Sequence, residues 1–373
     1  MLGSARRLMG ALAAGLALGA ACPAAAQTGS MDPELLKPNL VEVEPGRRLH
    51  IACTGKGSPT ILFEQGGEGS IANWRKVQAQ ASAISRTCFY DRAGFGLSDP
   101  PKDPVDGIHV TDDLRRLLLA ADIRGPVVLV GHSIGGFYST LFADRFPQQV
   151  AGMVLVDPGF AGQWAPTGRQ RRRELQAMAK GGQKLKACAE LARQGALRAD
   201  APQGCFSLAP DLTPAETEYV LKGFTRPSWY EAEVEQSNNY FPSGAEPESL
   251  SWKQERLARR DFGNMPLVVL SAQTPPREPV QNDKAYAEAS ARWKEGHRRL
   301  AARSTRGEWR EVAGATHFIQ LDQPAAVVEA ISQVVAQARE SAAPAPKAAK
   351  GKATKGKAAK PRKPAAKAAG KAR

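Results

Sequence analysis

One short segment constrains the fold of this chain more than any other. From Val127 to Gly136 it reads VVLVGHSIGG, so an apolar, β-branched run leads directly into a Gly-x-Ser-x-Gly pentapeptide and then into a helical pattern. The pentapeptide alone is a weak signal in a chain with 35 glycines. Its position between a strand and a helix is much rarer by chance, and it predicts a sharp turn that exposes the hydroxyl of Ser133.

The neighbours of Ser133 suit a reaction at a carbonyl carbon. Glycines at 131 and 135 allow the strand and helix backbones to approach each other around a strained serine. The N–H of Ile134 lies at the start of the predicted helix, where N–H groups and the helix dipole favour negative charge. Ser133 is therefore the candidate nucleophile and Ile134 a candidate oxyanion donor. The competing interpretation is an ordinary glycine-rich turn.

Between Leu40 and Ala338, short apolar runs alternate with helical patterns, which is typical of a mostly parallel sheet flanked by helices. Thr111 is predicted to cap the N-terminus of the helix expected at Val110–Ala121. Strands are predicted at Arg48–Ala52, Thr60–Phe63, Cys88–Tyr90, Val127–Val130, Met153–Val156, Leu267–Leu270 and Trp309–Val312. Helices are predicted at Trp74–Ile84, Val110–Ala121, Gly136–Arg145 and Ala325–Arg339.

The alternation stops between residues 159 and 264. This span contains charged helical stretches such as Arg169–Lys180 and no clear strand, so it is predicted to be a helical cap inserted into a core of residues 40–158 and 265–338. The cap is rich in aromatic residues, which either line an acyl pocket or form the cap's own core. These residues are Phe224, Trp229, Tyr230, Tyr240 and Phe241.

From about residue 40 to residue 338 the chain resembles the α/β-hydrolase family. The sequence YDRAGFGLSD, from Tyr90 to Asp99, is similar to the loop after the family's fourth strand. The sequence ATHFIQ, from Ala315 to Gln320, follows the last predicted strand, where the family keeps its catalytic histidine. The resemblance implies an α/β-hydrolase fold and a serine hydrolase in which His317 activates Ser133. His132, next to the nucleophile on a sharp turn, is expected to shape the pocket instead.

The resemblance also implies the remaining site residues. Gly67 stands where the family donates a second N–H to the oxyanion, although Gln65-Gly66 replaces the usual His-Gly before it. The loop SAQTPP, which follows the seventh family strand, lacks the usual acid. A known variation of the family places the acid at the end of the sixth strand, so Asp157 is the predicted third member of the triad. Glu278 and Asp283 stay open as alternatives.

The predicted activity is hydrolysis of a small-molecule carboxylic ester through an acyl-enzyme, without a cofactor. Amides, peptides and thioesters stay open as substrates, because all acyl transfers use the same constellation. A second class of function also stays open. The missing seventh-strand acid and the altered His-Gly are compatible with a binding protein that keeps the fold and has lost catalysis.

The first 26 residues are predicted to be a signal peptide. Arg6 and Arg7 precede an apolar run from Leu8 to Ala21, and small residues follow. The run is about 14 residues long, too short to cross a hydrocarbon layer of roughly 30 Å as a stable helix, and no transmembrane segment is predicted elsewhere. The protein is therefore expected to be exported, to the periplasm or beyond. A lipid anchor at Cys22 is the alternative.

Export would place the four remaining cysteines in an oxidising compartment, so two disulfides are expected. The family architecture makes the strands that hold Cys53 and Cys88 neighbours, which implies that these two cysteines pair. Cys188 and Cys205 then pair within the cap. The spacings lack the short Cys and His pairs that are typical of zinc sites, so no metal is predicted.

The net charge of +14 is concentrated at the C-terminus. Residues 341–373 contain nine Lys and two Arg without an acid, which leaves +3 for the rest of the chain. This Lys-, Ala- and Pro-rich tail has little to bury and is predicted to be disordered. It is a candidate for contact with an anionic cell envelope or another polyanion through counterion release. A functionless extension is the alternative.

Overall fold

The computed structural model describes residues 29–67, 69–164, 168–243, 246, 248–277 and 281–342. The predicted signal peptide, Cys22, Glu278 and the tail beyond Ala342 lie outside these residues.

Within the described residues, eight strands form one sheet in the order β1-β2-β4-β3-β5-β6-β7-β8. The strand β2 runs antiparallel to β1 and to β4, and every other pairing is parallel. The predicted α/β-hydrolase fold is therefore confirmed. The strands are β1 (Leu40–Glu44), β2 (Arg47–Thr54), β3 (Ile61–Glu64), β4 (Thr87–Tyr90), β5 (Val127–His132), β6 (Val150–Val156), β7 (Leu267–Ala272) and β8 (Gly307–Val312).

The described helices are α1 (Arg75–Ile84), α2 (Gly107–Ala120), α3 (Ile134–Arg145), α4 (Gly168–Arg193), α5 (Pro214–Phe224), α6 (Pro227–Tyr240), α7 (Leu250–Ala258), α8 (Asp283–Ala301), α9 (Ile319–Asp322) and α10 (Pro324–Ala342).

Both faces of the sheet are buried, which explains why its central strands are continuous apolar runs. Along β5, Val128 and Val130 pack on one face with side chains of α1 and α10. Val127 and Leu129 pack on the other face with side chains of α2, α3 and α8. This covering leaves the ends of the strands as the open places where polar side chains can gather.

The structure corrects the prediction for the start of α2. The helix begins at Gly107, and the Asp106 carboxylate accepts from the N–H of His109 as the N-terminal cap. Thr111 lies inside the helix, where its hydroxyl donates to the carbonyl of Gly107. A threonine can bond to a carbonyl one turn earlier as readily as it can cap, so its position alone misplaced the boundary.

Further elements differ from the prediction, among them the short helix α9, which was not predicted. The strand β1 was not predicted, because its residues are only half-buried and alternate with glutamates. The helix α8 was not predicted either, since its sequence is strongly charged. The helix α10 continues to Ala342, so Ser341 and Ala342 belong to a helix and not to the tail.

Between β6 and β7 the described chain forms the four helices α4 to α7 and no sheet strand. These helices and the sheet belong to one compact unit. Among the described residues, no helix is long and apolar enough to span a bilayer.

Two disulfides join the cysteine pairs named above. Cys53 on β2 lies directly opposite Cys88 on β4, with 4.1 Å between their Cα atoms. Cys188 on α4 is bonded to Cys205, with 5.6 Å between the Cα atoms. The first disulfide ties two strands of the sheet, and the second ties the longest helix of the cap to the segment that follows it.

Candidate active site

Ser133 lies in a strained turn between β5 and α3. Its backbone has φ 54° and ψ −125°, a region that residues with a Cβ rarely adopt. The turn is held by its own backbone, since the N–H of Ser133 donates to Val156 O at 3.1 Å and Ser133 O accepts from Gly159 N at 2.7 Å. A Cβ on Gly135 would overlap the carbonyl oxygen of Gln65. The glycine next to the turn is therefore required by the packing of α3 against β3.

His317 connects Ser133 to Asp157. Its Nε2 lies 2.9 Å from Ser133 Oγ, and its Nδ1 lies 2.6 Å from Asp157 Oδ2. With the proton on Nδ1, the ring donates to the carboxylate and accepts from the serine hydroxyl. The structure thus brings together the nucleophile, the base and the acid that were predicted from three separate segments.

Asp157 sits at the end of β6 with its side chain fully buried. Its Oδ1 accepts from the N–H of Ala272 and from the indole of Trp293, both at 2.9 Å. Burial by itself would raise the pKa of this carboxyl, but the hydrogen bonds from His317 and Trp293 lower it below its ordinary value. Asp157 is therefore held as a carboxylate whose remaining oxygen faces His317.

Of the two alternative acids, Asp283 does not reach this position. Asp283 has a 95% exposed side chain and pairs with Arg277 at 2.7 Å. Glu278 lies outside the described residues. Trp293 lies near the imidazole, with 6.1 Å between the centroids of the Trp293 and His317 rings.

A second histidine, His297, lies behind Asp157 and is completely buried. Its Nε2 is 2.8 Å from Pro158 O, and its Nδ1 is 2.5 Å from Ser271 Oγ. Burial lowers the pKa of His297, so a neutral ring donates to the carbonyl and accepts from the serine. The neutral ring of His297 holds the end of β6 through Pro158 and does not take the proton that His317 accepts from Ser133.

His132 packs against His317, with 4.7 Å between the ring centroids. Its Nε2 lies 2.9 Å from the carbonyl oxygen of His317. Burial, followed by the charge of His317, lowers the pKa of His132 to about 3. The ring is therefore neutral at ordinary pH, and it holds the loop that carries His317.

Arg92 orients the loop after β3. It donates to Gln65 O at 2.6 Å and to Gly66 O at 2.7 Å, and it pairs with the buried Glu64 at 2.7 Å. A trans peptide is planar, so its C=O and N–H point in opposite directions. With Gly66 O turned toward Arg92, the N–H of Gly67 points away from it. Arg92 thus acts on this loop although Gln65 replaces the family's histidine.

Ser133, His317, Gly67 and Ile134 all line one cavity of about 230 Å³. The cap forms much of its wall, and α8 adds Trp293 and Arg292. All five aromatic residues of the stretch pack in an apolar cluster that cap helices share with α2 and α3. Of these five, Tyr240 and Phe241 also line the cavity.

Some residues of the site were not singled out from the sequence. Arg92 lies inside the quoted YDRAGFGLSD loop, and that loop was the one signal available for it. Trp293 and His297 belong to α8, which carries no motif. Glu174 and Glu233 belong to cap helices and line the cavity. Within the described residues, no group of three His, Cys, Asp or Glu side chains is placed to hold a metal ion.

A family model described as alpha/beta hydrolase fold matches residues 59–324. This span is more than half of the chain, and the chain belongs to the α/β-hydrolase fold family.

Two curated proteins with similar sequences are uncharacterized. The chain is 35% identical over 128 residues to an uncharacterized vacuolar membrane protein of Saccharomyces cerevisiae, which covers 30% of this chain and only 20% of that protein. It is 26% identical over 291 residues to the uncharacterized protein YqjL of Bacillus subtilis, covering 78% of this chain and 88% of YqjL. Neither relative assigns a substrate.

Among solved structures, the chain resembles a putative lipase from Acinetobacter baumannii with a TM-score of 0.55. The identity is 16%, and the match covers 82% of this chain and 92% of the lipase. Identity this low shows the shared fold alone. The reaction has to be argued from the site itself.

Proposed function

We propose that this protein is a serine hydrolase that cleaves carboxylic esters through an acyl-enzyme. The observation that carries the proposal is the continuous connection from Ser133 Oγ through His317 to Asp157, at 2.9 Å and 2.6 Å. These atoms lie beside a cavity that is open to a small molecule. A nucleophile, a base and a group that orients the base are the parts that acyl transfer needs.

In the proposed reaction, Ser133 Oγ attacks the ester carbonyl while His317 Nε2 accepts the hydroxyl proton. The imidazolium that forms is stabilised by Asp157, and it then gives the proton to the departing alcohol. Water, deprotonated by the same imidazole, attacks the acyl-enzyme, and the imidazolium returns the proton to Ser133 Oγ as the acid is released. Asp157 keeps its charge throughout, which agrees with the lowered pKa of its carboxyl.

The oxyanion of each tetrahedral intermediate would accept hydrogen bonds from the N–H groups of Gly67 and Ile134. Ile134 begins α3, so the helix dipole adds to its N–H. Arg92 donates a hydrogen bond to the Gly66 carbonyl and so fixes the orientation of the Gly66–Gly67 peptide. This contact supports Gly67 as the second oxyanion donor, because the same peptide carries its N–H. Donors fixed in advance stabilise developing charge without reorganising.

A fluorophosphonate probe tests the proposal directly, since it reacts with an activated serine. The intact protein is expected to be labelled at Ser133 and to hydrolyse a short-chain aryl ester, and Ser133→Ala is expected to do neither. Circular dichroism of both proteins controls for folding. A folded wild type that neither takes up the probe nor hydrolyses the ester would overturn the proposal and favour the non-catalytic binding protein.

Amides, peptides and thioesters are the alternative substrates for the same triad. A panel of ester, thioester and anilide with one common acyl group separates them, because the acyl-enzyme is then identical and only the leaving group differs. We expect the ester to have the highest kcat/KM. A higher value for the anilide would reassign the protein as an amidase.

We also propose that the protein is exported. Support comes from the predicted signal peptide and from the two disulfides, since such bonds persist in oxidising compartments. Fractionation of expressing cells, followed by mass spectrometry of the mature N-terminus, tests both export and the alternative of a lipid at Cys22.

A further inference from the structure

The cavity holds an acidic side chain that the proposed reaction does not use. Glu174, on α4, is only 2% exposed and lies in the cavity wall. Its Oε1 accepts from Gln170 at 3.1 Å, but its Oε2 is buried without a hydrogen-bond partner in the described structure. Buried carboxylates are normally paired, because the unpaired charge is costly to desolvate.

No described cation compensates this carboxylate. Arg171, one turn earlier on α4, donates to the backbone carbonyl of Glu246 instead. Arg292, also in the cavity wall, donates through Nε to the carbonyl of Gln163. The undescribed positions between residues 29 and 342 contain no Lys or Arg in the sequence.

Two aromatic rings lie in the same cavity wall as Glu174. Trp164 and Phe241 pack edge to face with 5.4 Å between their centroids. The indole N–H of Trp164 is buried without a partner in the described structure. Aromatic faces next to a carboxylate attract ammonium groups, through the ring quadrupole and through the charge. A second carboxylate, Glu233, lines the cavity as well.

We propose that the substrate is an ester that carries a protonated amine, and that this ammonium binds to Glu174 in the part of the cavity lined by the rings of Trp164 and Phe241. The inference rests on the proposed ester hydrolysis at Ser133 and adds the class of substrate to it. The mostly apolar remainder of the cavity then holds the carbon chain that joins the ammonium to the ester.

Two isosteric esters test the inference, because they differ only in an ammonium that replaces a methyl group. These are p-nitrophenyl ε-aminocaproate and p-nitrophenyl heptanoate, with the Ser133→Ala protein as the blank for spontaneous release. The wild type is expected to show a higher kcat/KM for the aminocaproate. In Glu174→Gln the ratio of the two values should fall about tenfold or more, the loss of one hydrogen bond to a charged group.

A matched acid on the same helix provides the control. Glu190 is exposed and pairs with Arg193, away from the cavity lining, so Glu190→Gln should keep the wild-type ratio. A wild type that prefers heptanoate, or a Glu174→Gln protein with an unchanged ratio, would overturn the inference. The second outcome would mean that the Glu174 carboxyl does not recognise the ammonium.

A binding measurement separates this inference from the proposed reaction and also covers an ammonium on the alcohol side of the ester. In Ser133→Ala, calorimetry with n-hexylammonium and n-hexanol is expected to show tighter binding of the cation, and this preference should be lost when Glu174→Gln is added. Equal binding of both ligands would overturn the inference even if esters are hydrolysed. Cation-selective binding without any ester hydrolysis would support the ammonium site and refute the proposed reaction.

Discussion

Two buried carboxylates serve the same site, Asp157 at the end of the strand β6 and Glu174 on the cap helix α4 in the cavity wall. Asp157 accepts three hydrogen bonds, from His317, Trp293 and the backbone of Ala272. Glu174 accepts one, from Gln170, and its second oxygen has no partner in the described structure. Both side chains are almost completely inaccessible, so the difference lies in how completely each one is satisfied.

This difference separates two tasks. Groups that perform the chemistry have to be oriented before substrate arrives, since reorganisation at the moment of reaction is costly. Groups that select a substrate gain specificity when their best partner belongs to the ligand. We infer that the strand ends carry a preorganised site and that the cap supplies a wall that is completed only by what it binds.

The largest expected effect comes from replacing the satisfied carboxylate. Asp157→Asn should reduce kcat by about ten-thousand-fold, because the amide no longer stabilises the imidazolium and favours the wrong tautomer of His317. The change in kcat is measured by the hydrolysis of an aryl ester at saturating substrate concentration. Asp283→Asn is the control and should keep full activity, given its 95% exposed side chain. Equal losses in both variants would remove the distinction between these two acids.

The next effect tests how much the buried ion pair between Arg92 and Glu64 stabilises the fold around the loop after β3. Arg92→Met leaves Glu64 buried without its cation, which should lower the free energy of unfolding by about 3–5 kcal/mol. Urea unfolding followed by circular dichroism measures this change. Arg124→Met, at a side chain that is 88% exposed, is the control and should change stability little. An Arg92→Met protein as stable as the control would contradict the inference that Arg92 holds the loop after β3 through a buried ion pair.

The two sides also differ in how far the sequence could predict them. The segments around Ser133 and His317 are short and continuous, and their chemistry follows from local order of strand, turn and helix. Asp157 could be named because a strand end is a position that the fold makes predictable. The fold class and most sheet strands followed from the same patterns.

The rest depends on contacts between distant segments. Trp293 reaches Asp157 from a charged helix that carries no motif, and Glu174 becomes buried only when α4 packs over the cavity. The start of α2 is a local example of a feature that the sequence alone did not predict, since Thr111 was expected to cap this helix and Asp106 does so. Both residues suit a helix cap, and in the structure Asp106 caps α2 while the Thr111 hydroxyl bonds to a carbonyl inside the helix.

A smaller effect concerns the cap alone. Replacing Cys188 and Cys205 together by serine should cost about 3 kcal/mol, because the disulfide closes a loop with a sequence separation of 17 residues. Since Cys188 and Glu174 share α4, the selectivity between the aminocaproate and heptanoate esters should weaken, while labelling of Ser133 by a small fluorophosphonate continues. Limited proteolysis measures the stability of the cap, the two esters measure the selectivity, and the fluorophosphonate measures the labelling of Ser133. Loss of labelling in a folded variant would show that the cap also orients the nucleophile.

The smallest effect is expected at a border between sheet and cap. The completely buried His50 lies 3.0 Å from Asp91 and 3.0 Å from the carbonyl of Lys37, and Asp91 also accepts from Tyr219 of α5 at 2.5 Å. Burial by itself would lower the pKa of His50, but Asp91 and the carbonyl raise it above the ordinary 6.5. The folded protein therefore binds the proton more tightly than the unfolded chain does.

The stabilisation from this pair should be complete below pH 6.5, the unfolded value, and should be lost as pH rises through the higher folded value. One proton limits the slope to about 1.4 kcal/mol per pH unit. Urea unfolding across this range should show the decline in the wild type and in His109→Gln, a partly exposed control, but not in His50→Gln. A decline that persists in His50→Gln would mean that another group sets the pH dependence.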